Sequence, residues 1–143
     1  TTCYDHCYVV SYYCYKICKK YNLDYKSAAR AGMLHDLFLY DWRKRENDRK
    51  GLHAFTHGKT ACINACKLFD LNDKVKDMII KHMWPVTIAF PKSFEGFILT
   101  FVDKYCAMYE SFEVFKSTLF IQKTFRFVIK SASFCNLGIW LGI

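Results

Sequence analysis

Residues Cys3–Lys19 have the sequence CYDHCYVVSYYCYKICK, in which cysteine recurs at steps of four, seven and four residues. This spacing predicts an amphipathic α-helix. Its apolar arc contains Cys3, His6, Cys7, Val10, Cys14, Ile17 and Cys18. Eight cysteines would also suit a disulfide framework, but their helical spacing argues against one. No CxxC pair occurs, so a zinc ribbon is not predicted either. We expect buried thiols in the reducing cytoplasm.

Helical spacing continues along the chain, and it predicts an all-α, compact bundle of about six helices. After the first helix, the predicted segments are Asp24–Asp36, His53–Phe69, a helix that begins at Asn72 or Asp73 and ends at Pro85, Ser93–Glu110 and Phe112–Lys130. Either Asp24 or Ser27 is suited to cap the second helix. The highly charged stretch Tyr40–Gly51 lacks periodicity and is predicted to be an exposed loop. Phe125–Ile129 also fits a short strand.

The composition indicates one folded domain. The 143 residues are 52% hydrophobic and include only six Gly and two Pro, which excludes collagen-like and disordered chains. No uncharged apolar run reaches the roughly 20 residues of a membrane span, so no membrane association is expected. The net charge of +8 is compatible with nucleic acid. However, the only local basic cluster, Arg43–Lys50, also carries Glu46 and Asp48, so nucleic-acid binding is the less favoured hypothesis.

Histidines and aspartates on apolar helical faces are the strongest chemical signal in the sequence. Asp103 lies in the middle of the apolar fifth helix, where an unpaired carboxylate costs several kcal/mol. The neighbouring Lys104 is expected to point off that face, and a metal ion would supply the charge more naturally. His35 and Asp36 offer two ligands from one helix end, and such ligands suit Zn, Mn, Fe or Ni. Alternatively, each histidine is an ordinary core or capping residue.

The ordered set His6, His35-Asp36, His57, His82 and Asp103 resembles the HD-domain metal-dependent phosphohydrolase superfamily. Four segments are similar to bacterial stand-alone HD-domain proteins: AARAGMLHDLFLYDW (Ala28–Trp42), HAFTHGKTA (His53–Ala61), IIKHMWP (Ile79–Pro85) and FVDKYCAMYE (Phe101–Glu110). The resemblance covers about residues 3–112. It implies a single HD-type domain over residues 1–143, with the metal site inside the bundle and residues 113–143 as a C-terminal helical extension.

The resemblance also implies a dinuclear site. In the family pattern, one ion is held by the residues that match His6, His35, Asp36 and Asp103. A second ion is held by the residues that match His57 and His82, and the matching aspartate, Asp36, bridges the two ions. The implied cofactor is therefore two divalent transition-metal ions (Fe, Mn, Zn or Ni), or one ion if the second site is unfilled. His35 and Asp36 are the implied catalytic pair.

Further residues near the implied ligands are candidates for an outer shell or for substrate contacts. His53 shares a helical face with His57 and is expected in one of these two roles. Lys104, Lys59 and Arg30, together with Lys81, are the cations nearest to the ligands in sequence. Each is a candidate for phosphate binding, although most lysine and arginine side chains lie on the protein surface in contact with solvent. Gly58 stands where the family commonly has proline, which we expect to loosen the start of the helix.

The function implied by this resemblance is that of a cytoplasmic hydrolase. It would cleave a phosphomonoester or phosphodiester of a nucleotide or another small phosphorylated metabolite through a metal-activated water. The GYP motif of cyclic-di-GMP-specific relatives is absent after His82, where the sequence is MWPVTIAFPK, so cyclic-di-GMP is not the expected substrate. The alternatives are a non-catalytic metal-binding HD sensor or interaction module and a basic nucleic-acid-binding protein. The oligomeric state is left open.

Overall fold

The computed structural model describes the backbone of residues 2–37 and 53–139, and the side chains of residues 2–37, 56–118 and 120. The helices are α1 (Cys3–Lys20), α2 (Tyr25–Leu34), α3 (His53–Leu68), α4 (Asp73–Lys81) and α5 (Phe94–Ile139). Within these ranges there is no strand, so the all-α prediction is confirmed and the strand alternative at Phe125–Ile129 is wrong. The predicted loop Tyr40–Gly51 falls outside the described residues.

Side-chain caps explain where the first, second and fourth helices begin. The Thr2 and Asp5 side chains and backbone amides form a reciprocal capping box at α1. Asp24 accepts a hydrogen bond from the amide of Ser27 at α2, which confirms Asp24 as the cap. Asn72 plays the same part at α4, where it accepts from the amide of Val75. These caps satisfy backbone donors that have no partner inside the helix.

The prediction that Pro85 ends the fourth helix is wrong, because α4 already ends at Lys81 with His82 as its C-cap. At this end the carbonyl oxygen of Lys81 accepts the amide of Trp84 over 3.0 Å, and two neighbouring carbonyl groups contact side-chain nitrogens. His82 Nδ1 lies 2.7 Å from the carbonyl oxygen of Ile79, and Lys104 Nζ lies 2.8 Å from that of His82 itself. The helix therefore stops at the point where His82 is held by contacts on both its ring and its backbone.

The separation of the fifth and sixth predicted helices is also wrong. One helix, α5, covers Phe94–Ile139, so the described residues form five helices instead of about six. No glycine or proline occurs between Phe97 and Leu137, and Ser111 alone does not break a helix. The chain divides into two compact units, Thr1–Ala107 and Met108–Ile143. The single-domain HD organisation with its C-terminal extension stays a prediction.

The core of Thr1–Ala107 is built around the cysteine stripe of α1. Cys7, Cys14 and Cys18 are buried, as expected, but Cys3 and Cys66 are exposed. Residues of all five helices complete this core: Val10, Ala28, Ala31, Ala61, Ala65, Val75, Met78, Ile79, Leu99 and Val102. Helices α1 and α2 approach closely at Gly32, where a Cβ atom would lie 2.8 Å from the Cα of Ser11. This close approach is available only to glycine.

The apolar sequence of the fifth helix does not mean that all of its faces are buried. Within Thr1–Ala107 it buries Leu99, Val102 and Cys106, whereas Phe101 and Tyr105 are exposed. Large apolar side chains are common on protein surfaces, so the hydrophobic pattern overestimates burial here. None of the helices in the described part of the chain has the length and hydropathy that a bilayer crossing requires.

Candidate metal centre

The structure brings together the six side chains that the sequence proposes as ligands, and they come from five different places in the chain. They are His6 in α1, His35 and Asp36 directly after α2, His57 in α3, His82 at the end of α4 and Asp103 in α5. His35, His57 and His82 are buried, and Asp103 is nearly so. A cluster of this kind at the meeting point of several helices needs a physical explanation, because buried titratable groups are costly.

One group of ligand atoms consists of His6, His35 and Asp103. His6 Nε2 lies 3.1 Å from Asp103 Oδ1, and His35 Nε2 lies 3.3 Å from the same oxygen. The ligand atoms of the three residues all lie within 4.8 Å of one another, which is close enough for one ion to contact all three. Imidazole nitrogen and carboxylate oxygen are suitable ligands for a divalent transition metal.

A second group consists of His35, Asp36 and His82, whose ligand atoms also lie within 4.8 Å of one another. Asp36 Oδ1 lies 3.7 Å from His82 Nε2 and 3.5 Å from His57 Nε2. The two Nε2 atoms of His57 and His82 are only 3.0 Å apart. His57 therefore lies beside this group, and His35 belongs to both groups. The arrangement offers two neighbouring places for a cation.

Backbone contacts fix the orientation of two of the imidazole rings. Nδ1 of His35 lies 2.8 Å from the carbonyl oxygen of Gly32, and Nδ1 of His82 lies 2.7 Å from that of Ile79. A carbonyl oxygen only accepts hydrogen bonds, so we assign the proton of each neutral ring to Nδ1. The lone pair of His35 Nε2 then faces Asp103, and that of His82 Nε2 accepts a hydrogen bond of 3.0 Å from His57 Nε2 and lies 3.7 Å from Asp36 Oδ1. His35 Nε2 is buried and, despite its proximity to Asp103, makes no hydrogen bond of acceptable geometry.

These contacts fit a divalent cation. Lone pairs that face carboxylate oxygens repel them unless a proton or a cation lies between. A ligating histidine ordinarily donates its other N–H to a carbonyl or carboxylate, as His35 and His82 do here. The orphaned Nε2 of His35 is the atom for which a bound ion supplies the missing partner.

The surroundings shift the pKa values of His35 and His82 in opposite directions. Burial, reinforced by the nearby His35, lowers the pKa of His82 to about 4. Burial also opposes protonation of His35, but the carboxylates of Asp103 and Asp36 outweigh it and raise the pKa of His35. Burial works against ionisation of Asp103 as well, yet the neighbouring His35 and His6 rings hold its pKa well below the usual range. His82 is thus neutral at pH 7, the form in which imidazole binds metals.

Lys104 contacts the centre, contrary to the expectation that it points away. Its Nζ donates a hydrogen bond of 2.8 Å to the carbonyl oxygen of His82 and lies 4.0 Å from Asp103 Oδ2. Burial lowers the pKa of Lys104, and Asp103 counteracts this only in part. The sequence placed Lys104 among the outer residues of the site, but it contained no signal for the contact with His82.

The structure places the other candidate cations outside the cluster. Lys81 pairs with Asp77 one turn earlier on α4. Arg30 and Lys59 are exposed, and neither contacts the ligand residues in the part of the chain that the structure describes. The backbone of His53 begins α3, but its side chain is outside the described set, so its predicted role stays a prediction.

Gly58 has a role that the sequence did not suggest. A Cβ atom at this position would lie 2.9 Å from the carbonyl oxygen of Ile80, 3.0 Å from that of Ile79 and 3.5 Å from Cε1 of His82. The absence of a side chain therefore lets α3 pack directly against the last turn of α4. The prediction that Gly58 loosens the start of the helix misses this contact, because α3 is already helical there and packs closely.

Comparison of the chain with protein-family models, curated proteins and solved structures finds no match. The relation to HD-domain proteins therefore depends on the ordered ligand residues and stays a prediction.

Proposed function

We propose that this protein is an HD-type metal-dependent phosphohydrolase that acts on a nucleotide or another small phosphorylated metabolite. The observation that supports this most strongly is that five histidine and aspartate side chains form two overlapping groups, in each of which the possible ligand atoms lie within 4.8 Å of one another. The five residues are His6, His35, Asp36, His82 and Asp103. Their order along the chain is the order that the HD-domain resemblance requires. Convergence of such distant residues is expected for a site and is unusual for independent core histidines.

The donor set suits two divalent ions of the first transition series. When bound, such a pair supplies a water of lowered pKa as the nucleophile and positive charge for the phosphate oxygens. His6, His35 and Asp103 are the ligands available to one ion. Asp36 and His82, with His57 beside them, are available to the other, and His35 is an alternative ligand for either ion. Nitrogen and oxygen donors without a thiolate favour Mn, Fe, Zn or Ni over softer ions.

The protein's own residues supply position and charge in this proposal. Asp36 lies within 4 Å of His35, His57 and His82, so it is the carboxylate best suited to contact both ions. The carbonyl groups of Gly32 and Ile79 hold the rings of His35 and His82 in the ligating orientation. No protein nucleophile is needed, and the net charge of +8 favours the approach of an anionic substrate.

The test is metal content combined with hydrolysis. Protein reloaded with Mn²⁺, Fe²⁺ or Zn²⁺ is expected to hydrolyse an aryl phosphate monoester or diester. Asp36→Ala should lose the activity and most of the metal. Asp70→Ala, which removes an exposed aspartate, is the matched control and should retain both. Metal retention without hydrolysis of any phosphoester or nucleotide would instead support the non-catalytic sensor or interaction module.

A further inference from the structure

Lys104 connects two ligands that belong to different groups of the candidate centre. It directly follows Asp103 on α5, and its ammonium group reaches across to the end of α4. There it donates to the carbonyl oxygen of His82 over 2.8 Å, while Asp103 Oδ2 is 4.0 Å away. Asp103 belongs to the group with His6, and His82 belongs to the group with Asp36. A single side chain therefore joins both groups.

The bond to His82 is the stronger of the two contacts. The last carbonyl groups of a helix have no intrahelical donor and carry partial negative charge, so a lysine ammonium group is a favourable partner for them. The distance of 2.8 Å is that of a charge-assisted hydrogen bond. The distance of 4.0 Å to Asp103 is at the outer limit of an ion pair. The geometry therefore ties Lys104 chiefly to the backbone of His82.

Two contacts then determine where the His82 ring lies. The contact of Nδ1 with the Ile79 carbonyl fixes the ring relative to α4, and the Lys104 bond fixes the residue relative to α5. The ring is almost completely buried, and its Nε2 lies 3.0 Å from that of His57 and 3.7 Å from Asp36 Oδ1. A small displacement of the His82 backbone would change both distances.

We propose that Lys104 is a positioning residue of the metal centre, which holds His82 in place for the ion that Asp36 and His82 would bind. The proposal rests on the metal binding proposed above. It assigns Lys104 a structural bond to a ligand, in place of the direct contact with phosphate that its charge alone suggests. The ion bound by His6, His35 and Asp103 depends less on Lys104, because its contact with Asp103 is long.

The experiment compares Lys104→Met with the wild-type chain in a Co²⁺ titration followed by absorption spectroscopy. Loss of a contact that orients a ligand costs about 10- to 100-fold in metal affinity. We expect the Met variant to bind one ion as the wild type does and a second ion about 10- to 100-fold more weakly. Lys104→Arg keeps a cationic donor and should therefore retain most of the wild-type affinity for the second ion. Lys16→Met, which removes an exposed lysine of α1, should leave both affinities unchanged.

A second measurement uses metal-free protein, so it tests the bond between Lys104 and His82 independently of metal binding. In NMR spectra of the imidazole nitrogens, Lys104→Met should shift the His82 signals and leave those of His6 in place. Equal affinities for both ions in the Met variant and the wild type would overturn the proposal, as would an unshifted His82 signal. A wild-type chain that binds no Co²⁺ would overturn the proposed function itself. If the Met variant does not fold, Lys104→Gln, which is uncharged and one bond shorter, replaces it. We expect the same result, with one ion bound as in the wild type and the second bound more weakly.

Discussion

At the scale of single residues, His35 is the residue at which the two candidate ligand groups meet. Its ring is completely buried, and its Nε2 lies 3.3 Å from Asp103 and 3.8 Å from Asp36. It is the one residue common to both ligand groups found among the described residues. His6 and His82 each belong to only one group. Because Nδ1 of His35 contacts the Gly32 carbonyl, only Nε2 can bind metal, and its one lone pair serves one ion at a time.

Replacement of these histidines by glutamine, which is similar in size and a poor transition-metal ligand, tests this assignment. His6→Gln, His35→Gln and His82→Gln are each expected to keep one tightly bound ion, whereas Asp36→Ala, which removes a carboxylate within 4 Å of His35, His57 and His82, should lose most of both. The affinities can be measured by competition with a chromophoric chelator. A His35→Gln variant that loses both ions would contradict the assignment of its single free nitrogen to one ion.

The sequence identified the candidate ligand residues but not the contacts that hold them in place. His6, His35, His57, His82 and Asp103 stand out because polar groups on apolar helical faces need a partner, and this signal is local. The bond from Lys104 to His82 joins residues 22 positions apart and depends on how α4 and α5 pack. No periodicity in the sequence encodes such a distance. The same is true of the buried, unpaired Nε2 of His35.

At the scale of secondary structure, the end of α4 is the element that shapes the second ligand group. Gly58 of α3 packs against the carbonyl groups of Ile79 and Ile80, and His82 follows as the C-cap. His57, beside Gly58, thereby comes within 3.0 Å of the His82 ring nitrogen. The absence of one methyl group is what permits this spacing between the two helices.

Gly58→Ala should separate α3 from α4, because its Cβ would lie 2.9 Å from a backbone oxygen that is not free to move. Overpacking of this kind costs about 1–3 kcal/mol, which exceeds the gain of roughly 1 kcal/mol in helix propensity. We expect a lower free energy of unfolding in urea and weaker binding of the second ion. Lys67→Ala, at an exposed position of the same helix, is the control and should change stability by less than about 0.5 kcal/mol. A stabilised Gly58→Ala variant would contradict the close contact.

A separate polar contact anchors the start of α5. The Glu95 carboxylate accepts hydrogen bonds from the backbone amide of Asp24, at 2.9 Å, and from Lys74 Nζ, at 2.8 Å. Burial alone would raise the pKa of Glu95, but these donors outweigh it and lower the pKa below the ordinary value of 4.5. Because protonation is then easier in the unfolded chain, the contribution of Glu95 to stability is present above about pH 4.5 and is lost as the pH falls through its folded-state pKa.

Glu95→Gln is therefore expected to destabilise the protein at pH 7 by roughly 1–3 kcal/mol, the usual range for a hydrogen bond to a charged group. At pH 3 the difference from the wild type should be smaller, because this pH lies below the ordinary pKa of 4.5, so protonation of Glu95 in the unfolded chain offsets part of its contribution. Urea denaturation at both pH values measures this. Glu113→Gln, which removes a solvent-exposed ion pair with Lys116, should have little effect at either pH. An equal loss at pH 7 and pH 3 would show that the charge of Glu95 is unimportant.

At the scale of the whole molecule, the helical class followed from the sequence, whereas the number of helices did not. The cysteine stripe and the caps at Asp24 and Asn72 predict α1, α2 and α4 because those signals are local. The continuity of α5 past Ser111 was missed because the apolar pattern changes there while the backbone meets no breaker. Ligands arrive from all five helices, so the centre exists only after the unit Thr1–Ala107 has folded.

The central claim is that this fold assembles a dinuclear metal centre, and the metal content of the purified chain tests it most directly. The protein would be stripped with chelator, reloaded separately with Mn²⁺, Fe²⁺ and Zn²⁺, freed of loosely bound ions and analysed by mass spectrometry of the elements. We predict close to two ions per chain for at least one of these metals, and close to none for Asp36→Ala. A wild-type chain that retains no metal after reloading, although its helical content is intact, would contradict the account.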